Sequence, residues 1–176
     1  METISSITQL DTPFIKVHKN AVELPYGTII DDYYTVTVQN SAAVVALTDK
    51  REIVLIKQYR YCYDTDLIEL PSGVFEEHER DSLIVAKREL LEETGYQSED
   101  WTYLGATIEN PAQMTNHNHL FIARDCKRVS EQKLDATENV EVLLLPFEKA
   151  VDMVMNNRIC CSSTAQGILK AARLLN

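Results

Sequence analysis

Long apolar runs are missing from this sequence. No stretch approaches the ~20 consecutive apolar residues that a membrane-spanning helix needs, so no membrane association of that kind is expected. The opening METISSITQLDTPF has neither a basic region nor an apolar core and is not expected to act as a signal peptide. Positive charge is also scarce. Lys and Arg total 17 against 27 Asp and Glu, a formal net charge of −10, which disfavours nucleic-acid binding through a basic surface. An anionic ligand must therefore find a local Arg, Lys or metal ion that offsets the background field. The four cysteines, Cys62, Cys126, Cys160 and Cys161, show no metal-type spacing. Two of them are adjacent, which argues against a disulfide framework and predicts a reducing, cytoplasmic setting. There is no repeat, no low-complexity tract and no linker rich in Pro, Gly or Ser. What is left is a chain of 176 residues, long enough for one α/β domain with a full core but not for a second full one.

The apolar residues that are present fall into short runs. AAVVAL (Ala42–Leu47) and EIVLIK (Glu52–Lys57) read as strands joined by a turn at Thr48-Asp49-Lys50. DLIEL (Asp66–Leu70) is a shorter strand, stopped by Pro71 and a flexible Ser72-Gly73. HLFIA (His119–Ala123) and VEVLLLP (Val140–Pro146) are further strands, while FEKAVDMVMNN and STAQGILKAARLL read as amphipathic helices with Met153 and Met155 in the core. Residues 14–38 alternate like a small hairpin or meander. A helix is predicted over about 81–94, capped by Asp81 or Ser82 and stopped by Gly95, with Leu83, Ala86, Leu90 and Leu91 as its apolar stripe.

That helix ends in RELLEETG, which crowds Glu89, Glu92 and Glu93 into five residues. The negative end of a helix dipole disfavours acids there, and Glu89 and Glu93 repel each other by a few tenths of a kcal/mol at i,i+4 spacing. Either solvent or a bound cation compensates. Grouped carboxylate oxygens suit hard divalent ions, Mg²⁺ above all, which are commonly shared with substrate phosphates.

The run from Gly73 to Tyr96 resembles the Nudix box, G-x5-E-x7-R-E-U-x-E-E-x-G-U, where U is a bulky aliphatic or aromatic residue. RELLEETGY matches at every fixed position. Gly73 and Glu79 keep their spacing, but eight residues rather than seven separate Glu79 from Arg88, which predicts one extra residue in the loop near Glu79-Arg80. The resemblance implies an α/β/α sandwich around a mixed sheet and attack of water on a pyrophosphate within a nucleoside diphosphate linked to another group. It implies Glu89, Glu92 and Glu93 as ligands for Mg²⁺ (or Mn²⁺), with the Ser72 carbonyl beside them, and Arg88 as a partner of the glutamates in catalysis.

DDYYTV, IVLIKQYRY, LIELPSG and ENVEVLLLPFEKA extend the resemblance to the ADP-ribose pyrophosphatase branch, as does Pro111, fifteen residues beyond Tyr96. That branch implies an acidic group in the loop before the last strand, for which Glu138 is the candidate, followed by Asp135 and Glu141. Glu92 and Arg88 complete the catalytic set. Arg60 is a candidate phosphate partner, and Glu69 a candidate for orienting the turn or the substrate. Tyr33 and Tyr34 are candidates for stacking on the base, against the plainer reading of half-buried strand residues. His117 and His119 read more simply as packing than as metal ligands. The branch further implies a homodimer, with residues 1–40 as a β element for dimerisation and base binding and residues 41–176 as the hydrolase domain. ADP-ribose, GDP-mannose and other nucleotide sugars all stay open as substrates, as does a noncatalytic nucleotide-sensing role on the same fold.

Overall fold

Alternation along one strand organises most of the chain. In the computed structural model, which describes residues 1–175, β4 (Ser41–Leu47) sends Ala42, Val44 and Ala46 to one apolar cluster and Ala43, Val45 and Leu47 to another. A strand buried on both faces reads as a continuous apolar run, which is why AAVVAL stood out in the sequence.

The strands and helices follow in order. β1 (Glu2–Asp11), β2 (Lys16–Glu23) and β3 (Ile29–Thr37) precede β4; β5 (Glu52–Arg60), β6 (Thr65–Glu69) and β7 (Ser72–Val74) follow it. Next come α1 (Ser82–Thr94), β8 (Tyr96–Gln97), β9 (Asp100–Thr107), β10 (Asn118–Arg124) and β11 (Lys127–Arg128). β12 (Val140–Pro146), α2 (Phe147–Met155) and α3 (Ser162–Leu175) complete the chain.

Two units are distinguished. The first joins residues 1–40 with residues 108–117, a connection that the sequence did not suggest. It holds the antiparallel sheet β1-β2-β3, to which the segment adds a bridge from Val36 to Met114 and a hydrogen bond from the Tyr33 hydroxyl to the Ala112 carbonyl (2.6 Å). All ten residues of β1 are exposed, so it carries no buried-face signal, and the sequence reading began the β element only at Phe14.

The second unit, residues 41–107 and 118–176, carries a mixed sheet ordered β12-β5-β4-β10-β9, with β6 on β5 and β7 on β4. β10 runs parallel to β4, and the other pairs are antiparallel. Helix α1 covers one face with Val85, Ala86 and Leu90, and α2 and α3 cover the other with Phe147, Met153 and Ile168. Gly167 lets α3 press close: a Cβ there would lie 2.9 Å from Leu70 Cδ1. The result is the expected α/β/α sandwich.

Three local expectations need correction. Ser72-Gly73 is not a flexible turn but part of β7, paired with Ala43 and Ala42 of β4. Leu91 is 37% exposed and Met155 67% exposed, so neither belongs to the core. The buried face of α1 is instead Val85, Glu89 and Glu93 beside Ala86, Leu90 and Thr94. Two of the three glutamates therefore point inward.

Candidate active site

Three stretches of chain meet at the C-terminal half of α1. The first is β7, whose Ser72 N–H donates to Glu93 Oε2 (2.8 Å). Gly73 lies so close to the helix that a Cβ would overlap the Glu89 carboxylate, which explains the glycine. The second is α1 itself, started by the Asp81 side chain accepting from Leu83 N–H (2.9 Å) and ended by Gly95 in the left-handed region at φ 74°. The third is the loop that follows β11. Val129 N–H donates to the Gly95 carbonyl (2.9 Å) and Lys133 N–H to that of Glu92 (2.8 Å). The Gln132 amide donates to the carbonyls of Glu93 (2.7 Å) and Val140 (3.0 Å). These donors occupy carbonyls that a helix end leaves open, and so soften the field met by the acidic side chains.

Between these stretches lies a cavity of about 480 Å³. Ser72, Arg88, Glu89, Glu92, Glu93 and Glu138 line it, and so do Lys133 and Asp135.

Arg88 organises the carboxylates. Its Nε and Nη2 grip Glu79 (3.0 Å each), Nη1 donates to Glu89 (2.7 Å) and Glu92 (3.2 Å), and Nη2 also donates to the Val74 carbonyl (3.1 Å). The extra residue before the helix does not disrupt this brace. Glu79 is itself fixed by a turn in which its N–H donates to the Glu76 carbonyl (3.0 Å) and Glu76 N–H donates to Glu79 Oε2 (2.8 Å). The Arg88 hydrogen bond holds the Glu79 carboxyl below the usual range despite its burial, and the glutamates in turn raise Arg88.

Glu89 and Glu93 both shift upward, opposite to Glu79. Burial raises Glu89, although the Arg88 charge pulls it back. Burial pushes Glu93 up to about 8, opposed by the Ser72 N–H and reinforced by Glu89 and Glu138. Glu93 has no ion-pair partner among the described residues. Buried carboxylates without a cation are costly to ionise, and a divalent cation would remove that cost.

The donor set fits such an ion in part. Among the described residues no three His, Cys, Asp or Glu side chains form a ready cluster for a metal. Arg88 draws one oxygen of Glu89 and one of Glu92 to itself and leaves each a second oxygen, so Glu89, Glu92, Glu93 and the Ser72 carbonyl are the groups that could hold an ion. A partial shell of hard oxygens suits Mg²⁺, which retains waters and takes substrate oxygens.

The other candidates separate. Glu138 lines the cavity on the loop side, and its Oε2 accepts from Asp135 N–H (2.9 Å). Glu141 lies on β12, paired with Lys57 (3.6 Å). Arg60 and Glu69 form an ion pair at 2.7 Å outside the cavity lining; Glu69 also accepts from Gln58 (3.3 Å) and Cys161 (3.2 Å). Tyr33 and Tyr34 belong to the first unit and line a separate cavity of about 380 Å³ with Ile30, Asp32, Asn110 and Gln113. His119 packs against Phe75 and accepts from or donates to the Tyr103 hydroxyl (3.0 Å), while His117 precedes β10. Gln132 and Lys133 were not foreseen: they sit in a loop without periodicity, and only the tertiary structure brings them to α1.

The comparisons with known proteins bear on the family and the fold. The NUDIX domain family matches residues 37–159. The chain belongs to the Nudix family. A relative named ADP-ribose pyrophosphatase from Bacillus subtilis is 32% identical over 155 residues, 88% of this chain and 83% of its own. A relative named methanol dehydrogenase activator from Bacillus methanolicus is 32% identical over 151 residues, 85% of this chain and 80% of its own. A crystal structure of an ADP compounds hydrolase superposes with a TM-score of 0.87, covering 99% of this chain and 93% of that one; at 18% identity it bears on the fold alone. Nudix hydrolases generally use divalent metal ions. No helix of the described residues is long and apolar enough to cross a membrane.

Proposed function

We propose that this Nudix chain hydrolyses the pyrophosphate bond of a nucleoside diphosphate sugar, with ADP-ribose cleaved to AMP and ribose 5-phosphate as the leading reaction and Mg²⁺ as its metal. The observation that carries the reading is the pair of inward-facing carboxylates, Glu89 and Glu93, held beside the Ser72 strand at the edge of an acidic cavity. The name of the Bacillus subtilis relative supports the substrate. Glu89, Glu92, Glu93 and the Ser72 carbonyl would hold the cation, which would supply charge neutralisation for the diphosphate and polarisation of the attacking water.

The chain's own residues set the geometry. Arg88 fixes Glu89 and Glu92 and does so through an anchor, Glu79, that stays ionised. Glu138, exposed, in the cavity lining and with one oxygen unengaged, is the proposed acceptor of a proton from the attacking water. Arg60, held at Nε by Glu69, keeps its terminal nitrogens for a phosphate oxygen. Tyr33, fixed by its hydroxyl, and Tyr34, 45% exposed, offer ring faces for a base. The apolar side chains Ile4, Ile7 and Leu10 on the wholly exposed β1 favour a homodimer built through the first unit. The four free cysteines favour a reducing cytoplasm.

The test is hydrolysis of a panel of nucleoside diphosphate derivatives with Mg²⁺, read as phosphate released by an added phosphatase. ADP-ribose should give the highest kcat/KM, and Glu93→Gln should lower turnover about a hundredfold or more, the scale of a lost electrostatic contribution. Absence of turnover on every derivative would refute the reading. Light scattering should give about twice the 20.0 kDa chain mass; a monomer would refute the dimer.

A further inference from the structure

We infer that Lys133 is the cation that meets the substrate's diphosphate in this cavity; the inference rests on the hydrolase reading above. Two cationic side chains belong to the lining, Arg88 and Lys133. A guanidinium has five N–H donors, and Arg88 makes five hydrogen bonds: two to Glu79, one each to Glu89 and Glu92, and one to the Val74 carbonyl. An incoming phosphate can engage Arg88 only by displacing one of them. Each displacement would loosen a glutamate the site depends on, or the strand that carries Ser72. Arg88 is thus a positioning residue, not a substrate contact.

Lys133 differs on every count. Its backbone is pinned, because its N–H donates to the Glu92 carbonyl at 2.8 Å. Its neighbour Gln132 holds the Glu93 carbonyl, so this point of the loop is fixed to the helix that carries the glutamates. Yet the Lys133 ammonium makes no ion pair among the described residues, although Glu76, Asp135 and Glu138 line the same cavity; Lys16 and Lys57, in contrast, are each paired with a carboxylate. An ammonium on a four-carbon stem carries three donors and adapts its reach, which suits a charged oxygen whose position varies with the bound nucleotide. In a chain of net charge −10 such a contact offsets local repulsion that divalent ions cancel only partly.

The experiment compares Lys133→Met and Lys133→Arg with the wild-type chain on ADP-ribose at saturating Mg²⁺. Loss of a charge-assisted hydrogen bond should raise KM about tenfold or more in Lys133→Met, and Lys133→Arg should recover to within about threefold. The melting temperature should not move, since the pinning bond is to the backbone. Mn²⁺ affinity without nucleotide should stay level or rise, because a positive charge has left an acidic site. Calorimetric titration with Mg²⁺-pyrophosphate reads the same contact without turnover and should show a matching loss in Lys133→Met. An unchanged KM and an unchanged pyrophosphate affinity in Lys133→Met would overturn the inference while leaving the hydrolase reading intact. A rise in KM accompanied by a lower melting temperature, or not recovered by Arg, would overturn it as well, by assigning the effect to structure. Failure of the wild-type chain on all nucleotide substrates would instead overturn the hydrolase reading, with the pyrophosphate titration still deciding the anion contact.

Discussion

Replacing Glu93 by Gln should stabilise the metal-free protein and flatten its response to pH. Burial holds the folded acid at about 8, against an ordinary 4.5 that the unfolded chain regains. Below the ordinary value both states carry the proton and folding bears no penalty. As pH climbs toward 8, the unfolded chain has released a proton that the folded chain still holds, so folding becomes progressively less favourable. Above the folded value the penalty is complete. One pKa unit corresponds to about 1.4 kcal/mol, which puts the penalty on the order of 4 kcal/mol at a pH near 7.5. A glutamine removes the charge and keeps an oxygen that can accept from Ser72 N–H. For a chain of this size the gain corresponds to a melting temperature higher by about 8–16 °C. The assay is thermal and urea unfolding in chelator, from about pH 5 to about pH 8.5, repeated with Mg²⁺. Wild type should lose stability as pH rises and recover it with Mg²⁺, whereas the variant, left with the raised Glu89, should do both to a smaller extent. Parallel pH curves for the two proteins, or a variant less stable than wild type at pH 8, would refute the reasoning and mark Glu93 as a structural residue.

Other perturbations probe neighbouring parts of the site. Gly73→Ala should abolish Mn²⁺ uptake in calorimetry by displacing Glu89, while the far-ultraviolet circular dichroism stays native; undiminished uptake would contradict the close approach of β7 to the helix. Glu79→Gln weakens the grip on Arg88 and should lower kcat about tenfold to a hundredfold, the scale of charged hydrogen bonds; unchanged kcat would show the brace to be dispensable. Glu138→Gln should cost about 10²–10⁴ in turnover with metal affinity retained, as expected of a general base, and an equal loss in both would make it a ligand instead. Gly95→Ala forces a Cβ into the Ser130 carbonyl at a left-handed position and should cost about 1–3 kcal/mol in urea unfolding.

Much of this arrangement was legible in the chain. β4 and β5 announced themselves because burial on two faces leaves little but β-branched and small apolar residues. α1 was legible through its cap and its terminal glycine, two positions where backbone geometry dictates residue type. β1 was not, since a strand with no buried face has no alternation to read. β7 was hidden for another reason: Ser72 and Gly73 have turn chemistry, and only pairing with Ala43 and Ala42 makes them a strand. The glutamates were visible as a cluster, but which of them faced inward was not, because carboxylates enter no apolar stripe. Lys133 and Gln132 depend on a long-range return of the loop that no local pattern records.

The pairing of β7 with β4 has a kinetic consequence. Ser72 and Gly73 lie against the most deeply enclosed strand of the second unit, and the Ser72 amide is held by the buried Glu93 carboxylate, so that amide opens only when the carboxylate lets it go. The Ser72 amide should therefore exchange more slowly than a loop amide, at a rate set by the motion of the Glu93 side chain. Ion release from such a frame would be governed by the side chains alone, with the backbone beneath them already at rest.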